Sequence, residues 1–121
     1  LLNVYFGGTL IQHIKTYNSK SLKHEQVQPR NQTSHIVNIK KNTKLYKIIK
    51  KNRIRVNSAH YQSVKNVGRN VIVSGNADDG IIESIENNHY KWCIGVQWHP
   101  EFLITNTDKL ILKNFLLNCK K

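Results

Sequence analysis

The sequence has no methionine, two cysteines, two prolines and only seven acidic residues in 121. Each scarcity excludes something. Cys93 and Cys119 are too few for a disulfide framework and lack the paired spacing of a metal motif. No apolar run approaches the roughly 20 residues of a membrane-spanning helix, so no membrane association is expected. Leu1-Leu2-Asn3-Val4 has neither the charged start nor the apolar stretch of a secretory leader. The cytoplasm is the expected compartment. Without an initiator methionine the chain reads as a piece of something longer, and its length suits one domain, residues 1–121.

Acidic residues are also absent over a long interval. None lies between Glu25 and Asp78, while Arg30, Lys40, Lys44, Lys50, Arg53, Lys65 and Arg69 all fall there, and the net charge is +12. Such a field attracts nucleic acid or an acidic partner. However, Lys, Asn and Ile are plentiful throughout while Ala and Pro are scarce, a bias that AT-rich coding sequence produces without any selected ligand. No RNP-type aromatic motif, zinc finger or helix-turn-helix pattern accompanies the charge, so nucleic acid is not the expected partner.

The elements that are present alternate. Leu1 to Phe6 reads as the end of a helix stopped by Gly7-Gly8, with a second short turn over Thr9 to Lys15. Thr16 to Ser34 is polar and reads as a long loop. Lys44 to Lys51 is an amphipathic helix burying Leu45, Ile48 and Ile49 and wetting Lys44, Lys47, Lys50 and Lys51. Strands are expected at His35–Lys40, Arg53–Asn57, Asn70–Ser74, Ile81–Glu86 and Lys91–Trp98, with a turn over Ser58 to Gln62. Asp79-Gly80 is a hairpin signal, and Glu83 and Glu86 read as the exposed face of the strand after it, with a place for Glu83 near a binding pocket as the alternative. Thr107 is the expected cap of a last helix, Asp108 to Cys119, with Ile111, Leu112, Phe115 and Leu116 facing the core and Lys120-Lys121 at its negative end. Strands with helices at each end make the class α/β or α+β, with a partly mixed sheet.

The richest stretch is Gly95-Val96-Gln97-Trp98-His99-Pro100-Glu101. An alternating apolar strand runs into His-Pro-Glu. Side chains two apart in extended chain point the same way, so Glu101 can accept the Nδ1–H of His99. Pro100 cannot donate to a sheet and stops the strand. An oriented histidine base at a strand end is two thirds of a nucleophilic triad. The remaining third is a nucleophile. Cys93, within the last strand with no glycines beside it, reads as a small core residue. Cys119 sits at the helix end that raises a thiol pKa. His13, His24, His35 and His89 lack metal spacing and read as surface or core polar residues, so no metal is expected.

Four segments occur in a recognisable order: Leu2-Asn3-Val4 with Gly7-Gly8-Thr9-Leu10-Ile11-Gln12; Val56-Asn57-Ser58-Ala59-His60-Tyr61-Gln62; Ala77-Asp78-Asp79-Gly80 through Glu86; and Gly95 to Glu101. Together they resemble the C-terminal part of class I glutamine amidotransferase-like proteins, in particular the γ-glutamyl hydrolase and γ-glutamyl-γ-aminobutyrate hydrolase branch, peptidase C26. The resemblance implies an α/β, flavodoxin-like fold, incomplete over this length. It implies a catalytic histidine at His99, its orienting carboxylate at Glu101, and an acyl pocket lined by Ser58, His60 and Gln62. Tyr61 stands where the family segment often has a second histidine. Ser58 capping a short helix and Gln62 lying on the surface is the competing structural reading. The family's nucleophile is a cysteine in a Gly-x-Cys-x-Gly elbow, expected upstream of Leu1. The resemblance implies no cofactor. It further implies a γ-glutamyl small-molecule substrate only when an N-terminal half completes the site. Alone, the chain is then an inactive fragment or half of a split enzyme. A degraded, non-catalytic remnant and a basic module binding nucleic acid or an acidic partner are the alternatives.

Overall fold

A computed structural model describes residues 1–120; Lys121, assigned with Lys120 to the last helix's end, lies outside them. The order of elements is α1 (Leu2–Tyr5), β1 (Leu10–Ile11), α2 (Ile14–Tyr17), β2 (His35–Ile39), α3 (Lys44–Ile49), β3 (Arg53–Val56), β4 (Ser63–Val64), β5 (Val71–Ala77), β6 (Ile82–Asn87), β7 (Ile94–Val96), a 3₁₀ turn (Pro100–Phe102) and α4 (Asn106–Cys119). The α/β class is as expected. The sheet runs β1-β4-β6-β5-β2-β3, with β7 also on β6. Its pairings among the described residues are all antiparallel rather than mixed. The two-residue strands β1 and β4 were not legible, being too short to show a period.

The β5–β6 hairpin forms where Asp79-Gly80 marks it. Gly80 has φ 86°, a conformation that side chains with a Cβ avoid, and its N–H donates to the Ala77 carbonyl at 2.9 Å. Gly7, at φ 89°, ends α1 in the same way. The hairpin register is interrupted twice. Pairing passes from Val73↔Ile85 to Gly75↔Ser84 and then to Asn76↔Ile82. Ser74 is therefore an extra residue on β5 and Glu83 an extra residue on β6, a pair of compensating bulges that re-aim both side chains.

The bulges and the central position of β6 overturn the expectation for its acids. Glu83 and Glu86 are buried, at 1% and 0% exposure, rather than on a wet face. β6 has β4, β5 and β7 as neighbours. Glu86 accepts from the backbone N–H groups of Lys44 and Leu45, at 2.8 and 3.2 Å. Its charge is thereby set at the positive end of α3.

The main core joins β2 and β3 to α3 and α4 through Val37, Ile39, Leu45, Ile49, Ile54, Val56, Trp98 and Ile111. A second cluster packs Phe6 against Val64, Val71 and Ile85, with Cys93 at its edge. Leu45 and Ile49 are buried as expected and Ile48 partly so. Lys47, Lys50 and Lys51 are exposed, whereas Lys44 turns back to the carbonyls of Tyr90 and Lys91.

Two expectations for the last helix are corrected. Thr105, not Thr107, caps α4: its hydroxyl accepts from Asp108 N–H, and Asp108 returns the bond to the Thr105 N–H, a capping box. Thr107 lies inside the helix and is buried. Ile111 faces the core and Leu112 partly so, but Phe115 and Leu116 are 44% and 62% exposed. α4 extends past the surface that covers its first turns. No helix is long and apolar enough to cross a membrane among the described residues.

Candidate functional site

His99 stands where β7 gives way to the 3₁₀ turn opened by Pro100. Its Nδ1 donates to Glu101 Oε1 at 2.7 Å, the contact anticipated from their spacing. Because a carboxylate only accepts, the neutral ring carries its proton on Nδ1 and presents Nε2 as a base. His99 is partly exposed, 37% at the side chain, and Glu101 more so, 60%. Asn57 holds the backbone of this histidine from the end of β3. Its Oδ1 accepts from His99 N–H at 2.9 Å and its Nδ2 donates to the His99 carbonyl at 3.4 Å. This clamp was not foreseen, although Asn57 belongs to the Val-Asn-Ser motif. Phe102 meets the imidazole edge to face at 6.3 Å.

Beside this strand lies an open pocket of about 650 Å³, walled by Gln12, His13, Tyr61, Gln62 and Gln97 among others. His99 and Glu101 are not in its wall, while Gln97, two residues before His99 on the same strand run, is. Gln62 donates to Gln12 Oε1 at 2.9 Å, and Tyr61 stacks with His13 at 5.9 Å. Of the three expected acyl-pocket residues, Gln62 is exposed here. Ser58 is not: it is fully buried and its hydroxyl donates to the His24 carbonyl at 2.6 Å, which corrects the expectation of substrate contact. Its own N–H is taken by Gln26 Oε1.

His60 touches the pocket's rim but directs its ring inward. Its Nε2 lies 3.2 Å from Glu83 Oε2. Two further histidines converge on the same carboxylate: His35 Nε2 at 3.1 Å and His24 Nδ1 at 3.6 Å from Oε1. The His24 ring is 4.9 Å from each of the other two. Four separate segments thus meet in one buried group. The polar loop from Thr16 to Ser34 delivers His24 because it is tied down. Gln26 donates to the carbonyls of Gln28, Pro29 and Gln32, and Glu25 bridges to Ala59.

The electrostatics follow from burial and charge. Burial alone raises the Glu83 carboxyl, but the three facing imidazoles more than offset it and hold it well below the usual carboxylate range. Burial lowers the His24 imidazole, and Glu83 and Asp79 outweigh that and raise it above its ordinary value. Asp79, 2.7 Å from His24 Nε2, is raised by burial and brought lower overall by His24 and the N–H groups of Ile81 and Leu22. Asp79 is therefore more than a turn residue. A carboxylate flanked by Ile81, Ile82 and Ile85 was the available signal, since an acid in so apolar a strand is rarely left unpaired.

Cys93 is half-buried against the second core cluster and Cys119 is exposed on α4.

An oriented imidazole at a strand end, on an α/β scaffold, is an arrangement able to take up and release a proton. The chain belongs to the peptidase C26 family, whose model matches residues 1–101. It is 36% identical over its whole length to a protein described as glutamine amidotransferase-like in Rickettsia prowazekii, covering 57% of that protein. It is 40% identical, again over its whole length, to one described as a glutamine amidotransferase in Schizosaccharomyces pombe, covering 47% of it. The γ-glutamyl-γ-aminobutyrate hydrolase of Escherichia coli is 30% identical over 54% of this chain and 26% of its own. Among solved structures, a glutamine amidotransferase from Thermotoga maritima shares the fold. Its TM-score is 0.55 at 13% identity, over 96% of this chain and 42% of that one. A GMP synthase component from Thermoplasma acidophilum shares it too, with a TM-score of 0.72 at 15% identity, over 98% of this chain and 51% of that one. The chain spans about half the length of the first two relatives.

Proposed function

We propose that this chain supplies the base and its orienting carboxylate for cysteine-dependent hydrolysis of γ-glutamyl amides, the nucleophile being contributed by chain outside these 121 residues. The observation that carries this reading is the 2.7 Å bond between His99 Nδ1 and Glu101 at the end of β7. It leaves Nε2 as the proton acceptor for a thiol. The thiolate would attack the side-chain carbonyl of the γ-glutamyl group, forming a thioester. His99 would deliver the proton to the leaving amine and then take one from the water that releases glutamate. Glu101 holds the ring in the required tautomer, and Asn57 holds the backbone that carries it.

Two observations support a nucleophile from outside this chain. Cys93 lies half-buried just before β7 and Cys119 is exposed at the end of α4, neither in a Gly-x-Cys-x-Gly setting. Phe115, Leu116 and Leu117 lie exposed on α4, at 44, 62 and 53%, as expected of a surface that further chain covers.

The test begins with the coding DNA on the 5′ side of the Leu1 codon, read for a Gly-x-Cys-x-Gly turn. The joined polypeptide is then assayed for release of glutamate from γ-glutamyl amides. Hydrolysis that disappears with His99→Ala supports the reading. A joined polypeptide with an intact elbow that leaves such amides uncut, or cuts them equally well without His99, overturns it.

A further inference from the structure

Glu83 and the histidines around it pose a problem of protons. Each imidazole has one nitrogen held by an outer acceptor and the other aimed at the carboxylate. His24 Nε2 meets Asp79 Oδ2 at 2.7 Å, His35 Nδ1 meets the Ile36 carbonyl at 3.2 Å, and His60 Nδ1 meets the Gln62 carbonyl at 2.8 Å. A carboxylate and two carbonyls cannot donate, so in each neutral ring the proton sits on the outer nitrogen. The inner nitrogens, His24 Nδ1, His35 Nε2 and His60 Nε2, then carry the lone pairs and lie 3.6, 3.1 and 3.2 Å from the Glu83 oxygens. These same three nitrogens and both Glu83 oxygens are buried and make no hydrogen bond among the described residues. Acceptors facing acceptors in a dry interior need positive charge between them.

We infer that this charge is a divalent zinc ion, bound by His24 Nδ1, His35 Nε2 and Glu83, with His60 Nε2 set against the second oxygen of Glu83. The three ligand atoms lie within 4.8 Å of one another on residues that are all buried. Zinc takes imidazole nitrogen and carboxylate oxygen at about 2.0–2.2 Å, which sets tetrahedral ligand atoms roughly 3.4 Å apart. The separations of His35 Nε2 and His24 Nδ1 from Glu83 Oε1, 3.1 and 3.6 Å, bracket that value. Nitrogen-rich ligation selects zinc over magnesium or calcium, which prefer oxygen. The outer bonds have the character of a metal site as well. A ligating histidine ordinarily donates its other N–H to a carboxylate or a backbone carbonyl, which sets its tautomer and aims its ring. All three do so here. The charge also closes, since one dication balances Glu83 and Asp79 with neutral imidazoles.

Such an ion is structural. It ties the loop carrying His24, the start of β2, the turn after β3 and the bulge of β6 at one point. The turn it holds, Ala59 to Gln62, forms one wall of the 650 Å³ pocket. The inference does not depend on the hydrolase reading, because the ligands are separate from His99 and Glu101.

The test uses the unmodified chain, purified without a histidine tag or added metal. Its metal content is measured, the protein is stripped with chelator, and thermal unfolding is followed during titration with Zn²⁺, with Mg²⁺ as control. The expected result is stoichiometric zinc and a rise in Tm of several degrees that Mg²⁺ does not reproduce. Glu83→Gln and His35→Gln are expected to abolish the rise, and His89→Gln, on the surface, to keep it. X-ray absorption at the zinc edge of the unmodified protein, counting imidazole ligands, decides the matter even where a variant does not fold. A stripped protein whose Tm ignores Zn²⁺ overturns the inference and leaves protonated imidazoles around Glu83. A zinc response that survives both substitutions, or an edge spectrum with fewer than two imidazoles, overturns it equally.

Discussion

The molecule contains two histidine–carboxylate assemblies built from the same chemistry and set in opposite surroundings. His99 and Glu101 are neighbours in sequence, lie at a strand end and keep 37% and 60% of their side chains in solvent. His24, His35, His60 and Glu83 come from four distant segments and keep 2, 7, 10 and 0%. Solvent screens the first pair, so it adds little to stability, and it leaves one imidazole nitrogen free to exchange protons. The second assembly is desolvated, so each charge in it depends on the others. Exposure suits a group that must change its protonation state during a reaction. Burial suits one that must not.

That contrast can be broken by experiment. The largest effect is expected from His99→Ala in the joined enzyme. The rate of γ-glutamyl amide hydrolysis should fall by roughly three to six orders of magnitude, while urea unfolding changes by less than about 0.5 kcal/mol. A large loss of stability would place His99 in the structural class instead. Next comes Glu83→Gln, whose cost should appear in unfolding as about 3–5 kcal/mol, the penalty for removing one partner from a buried charged group. An unchanged urea midpoint would show that the burial has no energetic consequence. Glu101→Gln should lower the rate by roughly 10- to 1000-fold, less than the loss at His99, because an exposed carboxylate orients the ring with water as a partial substitute. Steady-state kinetics of the two variants side by side gives the ranking. The smallest effect is Thr105→Ala, which removes the α4 cap just after the 3₁₀ turn that carries Glu101 and should cost about 1 kcal/mol. A matching Thr107→Ala loss without one at Thr105 would contradict the observed capping box.

The exposed assembly was legible because its geometry is local. An extended His-Pro-Glu needs only the period of a strand and the stop imposed by proline to bring Nδ1 to the carboxylate. The Asp79-Gly80 hairpin and the Leu45–Ile49 stripe of α3 were legible for the same reason. Asn57 was only half visible: its motif was recognised, but a side chain that holds the backbone of a residue 42 positions away has no local signature. The buried assembly was read only in part: His24 and His35 were left as surface or core polar residues, and both are buried. Glu83 and Glu86 were assigned to the exposed face of a strand, although residues three apart on an uninterrupted strand point opposite ways. The bulge at Glu83 and the strands flanking β6 bury both. Ser58 was placed against substrate and instead donates its hydroxyl to the loop that carries His24.

Residue order alone was therefore enough for the family, the α/β class, the hairpin and the His99–Glu101 pair, since these rest on motif order and on contacts between residues close in the chain. Three other outcomes were settled by folding: that His24, His35 and His60 share one carboxylate, that Glu83 and Glu86 are buried, and that Phe115 and Leu116 stay exposed. They depend on which surfaces meet once the chain is packed. Packing of a loop onto the sheet brings together residues such as His24 and Glu83, 59 positions apart, and no local period records that distance.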